Sequence, residues 1–198
     1  MTSPGLQPGG GFPNRRGCEP ERWGQNMTKF QKYVRLAKEM GADGAKIIST
    51  RNVFVRDWVF LKCKFGCDGF GERLTCPPRS PSPETTRRVV SEYACGLLMH
   101  FVRDPQSKKQ INITKLAAEL ERKIFLDGYY KAWTMGCGPC LICRVCDLES
   151  CRHPKDARPS MEACGIDVYA TARKAGFPIQ VVTDYDQISN RYALILIE

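Results

Sequence analysis

The chain has 198 residues, with 30 Lys and Arg against 21 Asp and Glu (a formal +9), 42% hydrophobic residues and eleven cysteines. This supports one well-buried domain, residues 28–198, behind a Gly- and Pro-rich tail, residues 1–27, that cannot offset its ordering entropy and is expected to be disordered. The longest strongly apolar stretch, residues 94–102, is too short to span a bilayer, the first residues lack the apolar segment of a secretion signal, and the cysteine count is odd.

A membrane protein and a secreted disulfide framework are therefore disfavoured, and a soluble protein of the reducing cytoplasm is expected. The basic residues are scattered, without a Lys/Arg block or a nucleic-acid-binding fingerprint. Two all-thiolate iron–sulfur clusters, each about −2, would also lower the formal charge to roughly +5. Nucleic acid is thus not an expected partner; the charge reads as a solvated basic surface, on which an acidic redox partner could dock.

In chain order, Cys18 falls in the tail and reads as a free thiol. Thr28 is placed to cap a helix whose apolar positions Phe30, Tyr33, Val34, Ala37 and Met40 follow the 3.6-residue period, with Gly41 as its stop. Residues 45–48 and 58–62 read as strands, the second running into Cys63. Cys63-x3-Cys67-x8-Cys76-Pro77-Pro78, with Gly66, Gly69 and Gly71 between the thiols, describes a loop that can turn its sulfurs around a common point. The last gap is too long for the C-x3-C-x2-C loop of radical S-adenosylmethionine enzymes. Three thiols could hold a cluster with one iron open or completed from elsewhere, or a zinc finished by a residue such as Cys151 or His153.

Ser82 and Pro83 then open a helix to about Tyr93. A buried strand follows at residues 95–102, in which Cys95 and His100 read as core residues. A helix from Thr114 presents Ile113, Leu116, Ala117, Leu120 and Ile124 on one face and ends at Gly128; residues 129–135 form a strand.

That strand delivers the densest thiol run. Cys137, Cys140, Cys143 and Cys146 occur at every third position, then Cys151, with Cys164 further on. Structural zinc usually takes two C-x2-C knuckles a dozen or more residues apart, whereas C-x2-C-x2-C in unbroken register wraps a larger object, the cubane [4Fe-4S] cluster of bacterial ferredoxins. The tail here is C-x4-C-R-H-P rather than C-x3-C-P, which leaves the fourth ligand open between Cys137, Cys151 and Cys164, and structural zinc stands as the alternative. Arg152, His153 and Arg158 could donate to cluster sulfides or hold an anionic substrate, or could simply form a surface turn. Asp167 caps a last helix through Ala175, stopped by Gly176 and Pro178, and residues 179–183 and 192–197 read as strands, as in a hairpin.

The order strand, cysteine loop, helix, strand, helix, strand, cysteine loop suggests two βαβ units. The expected fold is α/β with a mixed, mostly parallel sheet, flanking helices and two cysteine-rich loops. Right-handed crossovers would bring both loops to the carboxyl edge of that sheet, where their thiols could form one composite site.

The strings GPCLICRVC and CRHPKDARPSMEACGIDV, with the upstream C-x3-C segment ending in CPP, resemble a family of predicted metal-binding proteins of unknown function known mainly from anaerobic bacteria and archaea; the likeness covers roughly residues 45–198. The resemblance implies metal binding and an iron–sulfur role. It maps recurring thiols onto Cys63, Cys67, Cys76, Cys140, Cys143, Cys146 and Cys151, leaving Cys18, Cys95, Cys137 and Cys164 outside the set. One or two [4Fe-4S] clusters are expected, serving as an electron-transfer module for a redox partner protein or as an open-site cluster acting on a small molecule. A zinc-stabilised binding module is the alternative. No catalytic residue is named by the sequence.

Overall fold

The computed structural model describes residues 28–107, 111–184 and 186–198. The expected tail, with Cys18, lies outside them. Among the described residues a four-stranded sheet is built from β1 (Gly44–Ser49), β2 (Cys95–Arg103), β3 (Trp133–Met135) and β4 (Ser189–Leu196), in the order β1-β2-β4-β3. Every neighbouring pair is antiparallel. The helices are α1 (Gln31–Glu39), α2 (Asp57–Gly66), α3 (Pro83–Ser91), α4 (Ile113–Leu126) and α5 (Val168–Lys174).

The expectation of a mostly parallel sheet is thus overturned, and the reason lies where the excursion between β1 and β2 closes. Ser49 at the end of β1 pairs with Cys95 at the start of β2. Beside this pair the Thr50 amide donates to the Ala94 carbonyl (3.1 Å), and the Thr50 hydroxyl donates to the carbonyl of Tyr93. Residues 50–94 therefore leave and re-enter at one end of the sheet, so β2 runs back along β1 and no βαβ crossover forms.

Strand alternation sorts the core into two layers. Ala45, Ile47, Leu97, Met99, Ala193 and Ile195 face α1 and α4, where Phe30, Tyr33, Ala37, Leu116, Leu120 and Ile124 meet them. Ile48, Leu98, Leu194 and Leu196 point the other way, toward Val53, Val90, Met161, Cys164, Ile166 and Ala172. That second face is covered by α3, α5 and the bases of the cysteine segments.

Local chemistry explains the helix ends. Side chains of Ser82, Asn112 and Asp167 each accept the amide three residues on, as N-caps do. Gly128, with φ of +98°, stops α4 in a conformation that disfavours other residues. Lys46 on edge strand β1 donates to the carbonyls of Ala175 (2.8 Å) and Gly176 (3.2 Å), placing a cation on the negative end of α5. The first helix departs from expectation: its regular span begins at Gln31, with Phe30 rather than Thr28 at the N-cap.

Two strand expectations are corrected. Residues 58–62 lie in α2, since a short apolar run does not by itself separate strand from helix, and Asp57 stabilises the first turn of a helix. Residues 179–183 form no strand, because β4 has β2 on one side and β3 on the other, leaving no hydrogen-bonding edge for a hairpin partner. Cys95 and His100 are buried as expected, and His100 Nε2 lies 2.7 Å from Asn190 Oδ1.

Candidate metal centre

The residues around both cysteine segments are stitched together by residues 159–167. Gly136, entering the second segment, bridges to Ser160 at its exit: the Gly136 amide donates to the Pro159 carbonyl (2.7 Å) and the Met161 amide to the Gly136 carbonyl (3.0 Å). This pinches residues 137–158 into a closed loop. Val55, just before α2, bridges to Ile166, and the Ser80 hydroxyl, beyond Cys76, donates to the Ala163 carbonyl (2.7 Å). The first segment is thereby tied to the same strip on the sheet's second face.

Within the closed loop, Cys140, Cys143, Cys146 and Cys151 wall a single cavity of about 20 Å³. Arg152 and His153 also line it, as do Arg73 and Thr75 from the first segment. Arg73 Nη1 donates to the Cys143 carbonyl (3.2 Å), a direct tie between the segments. Arg152 Nη2 donates across the loop to the carbonyl of Val145 (2.6 Å). The four cysteines are partly buried, and burial raises the Cys140 thiol above its ordinary pKa. A metal would have to displace that proton, as thiolate ligation requires.

The remaining candidates are placed differently. Arg158 is turned to the core: its Nε and Nη2 form a bidentate pair with the Glu121 carboxylate (2.9 and 2.6 Å), and Nη1 donates to the carbonyls of Pro154 and Ala157. Glu121 Oε2 also accepts the amide of Thr134 on edge strand β3 (2.7 Å). Arg158 is therefore a clamp from loop to α4 and β3, and Arg152 and His153 are left to face the cavity.

Cys63 lies on α2 and Cys67 is its C-cap, so the C-x3-C spacing is an i, i+4 pair on one helical face rather than part of an irregular loop. Burial, with smaller contributions from nearby Cys67, Glu162 and Cys76, pushes the Cys63 thiol up to about 11. Cys76 is buried, and burial raises its thiol, with Cys67 adding to the rise; the contact between the two segments is the Arg73 hydrogen bond to the Cys143 carbonyl. Cys137 is held at about 11 by burial, with Glu162 and Arg191 beside it. Cys164 is buried in the core, its thiol pushed up to about 12. Among the described residues, no three His, Cys, Asp or Glu side chains converge closely enough to hold a single metal ion, and no disulfide is formed.

Sequence reading missed Arg73, Glu121, Glu162 and Arg191. Glu162 had a legible signal, a lone acid within the apolar string MEACGI, which marks a buried carboxyl.

An antiparallel α/β chain carrying two cysteine segments stitched onto one face defines a cysteine-rich α/β protein with a candidate thiolate metal centre. The chain belongs to the family described as Predicted metal-binding protein (DUF2284), whose family model matches residues 46–197. No curated protein and no solved structure matches it.

Proposed function

We propose that Cys140, Cys143, Cys146 and Cys151 hold a [4Fe-4S] cluster and that the chain serves redox chemistry as an electron-transfer module in a reducing cytoplasm. The observation that carries this reading is the gathering of these four side chains around one cavity, from the spacing C-x2-C-x2-C-x4-C. Four thiolates on a cubane each bind a different iron and stand apart, whereas four on zinc converge on one ion.

One observation favours zinc: a cavity of about 20 Å³ has room for a single water-sized body. The spacing is covalent, however, while the run sits on an exposed loop where Leu141 and Val145 are 70% and 73% accessible, so side chains there can swing outward. Iron–sulfur is the better reading.

When bound, the cluster would supply one-electron transfer. The chain's part is to set its environment: Arg152 and His153 bring N–H donors to the cavity wall, which stabilises the more negative reduced state and raises the potential. Leu141 and Val145 offer apolar contact beside the thiols for a redox partner protein.

Anaerobic purification, iron and sulfide assay, visible absorption and EPR of the reduced protein test the reading. A brown protein with a reducible iron–sulfur signal, lost in Cys140→Ser or Cys146→Ser, is expected. Colourless protein carrying stoichiometric zinc would overturn it.

A further inference from the structure

A second cavity, of about 470 Å³, is lined by α2, the start of α5 and the beginning of β4. Its size is that of a small-molecule or cofactor site. Cys63, Cys67 and Glu162 lie in its wall, with Lys62 and Arg191 the cationic side chains there.

Glu162 is unusual in this position. Its carboxylate oxygen Oε2 is buried and has no hydrogen-bond partner among the described residues. A buried carboxylate oxygen left unsatisfied costs its full desolvation penalty, so an arrangement that retains one calls for an explanation. Arg191 is near enough to act on this carboxyl electrostatically.

We propose that the Glu162 carboxylate is the non-thiolate ligand that completes Cys63, Cys67 and Cys76 as the donor set of a second iron–sulfur group, with Oε2 as the ligating atom. Three thiols and one carboxylate give four donors without borrowing from the set around the other cavity. Binding forms one oxygen–metal and three sulfur–metal bonds and releases to solvent whatever protons these groups carried. The inference rests on the iron–sulfur reading above but concerns different residues.

The test uses the full chain, purified anaerobically and reconstituted with iron and sulfide. In a Cys140→Ser background, where the first centre is disabled, the remaining iron and EPR signal should fall with Cys63→Ser. They should fall about 10-fold or more with Glu162→Gln. Glu162→Cys, which offers a thiolate in the carboxylate's place, should keep the iron and shift the midpoint potential, an outcome that a purely structural role for Glu162 would not produce. Iron that falls with Cys140→Ser but is indifferent to both Cys63→Ser and Glu162→Gln overturns this inference and leaves the first centre standing. A wild-type chain without iron overturns both.

Discussion

Arg158 shows how a residue's role turns on what it touches. Its guanidinium and the Glu121 carboxylate are mostly buried, with side chains 18% and 11% accessible. Removing one partner of such a pair strands a charge in low dielectric. Glu121→Leu should therefore cost about 3 kcal/mol in denaturant unfolding. The double variant Glu121→Leu/Arg158→Met should recover much of that loss, and a pair worth nothing would show no coupling. Cys164 gives the opposite contrast to the cavity cysteines. Packed among Met161, Ile166 and Ala172, it is a small core residue, so Cys164→Ala should cost about 1 kcal/mol while iron content is unchanged. The sequence left Cys164 open as a fourth ligand, and its burial in the core is what the structure adds. The partner of Arg158 was not legible in the sequence, because Glu121 lies 37 positions away and only packing brings them together.

At the scale of elements, the capped helices α3, α4 and α5 were readable, since N-caps and glycine stops are chemistry within one helical turn. Helix α1 is tied to α4 by Asp127, which accepts hydrogen bonds from Lys32 (2.7 Å) and Tyr33 (2.8 Å). Those bonds lower its pKa, so its contribution is present above the ordinary carboxylate value and is lost as pH falls through the depressed one. Asp127→Asn should be less stable than wild type at pH 7, and thermal melts of the two should converge in acid below that point. The seam beneath the cysteine segments offers a second test. Gly165 has φ of +76°, and a Cβ there would lie 2.8 Å from Pro83 Cγ. Gly165→Ala should destabilise by about 1 kcal/mol or more and loosen the tie between the segments, read as faster amide exchange at Arg56, whose amide donates to the Gly165 carbonyl.

For the whole molecule, the sheet and its helical face form a core independent of the cysteine loops, whereas residues 137–158 have few buried side chains of their own. Stripping the metal anaerobically should thus lower the melting temperature and expose residues 137–158 to proteolysis while strand and helix signals in circular dichroism persist. Global loss of structure would show instead that the metal organises the core. The sequence by itself determined the thiol spacing, the starts of α3 and α5, the glycine stop of α4 and the existence of strands β1, β2 and β4, because each depends on neighbours within a few residues. Only the tertiary structure decided strand direction, the helical placement of Cys63, the clamp on Arg158 and the placement of Glu162 beside Cys63. These depend on pairings between residues far apart in the chain: Ser49 with Cys95 sets the antiparallel sheet, and the strip from Pro159 to Asp167 brings two distant thiol groups to one face.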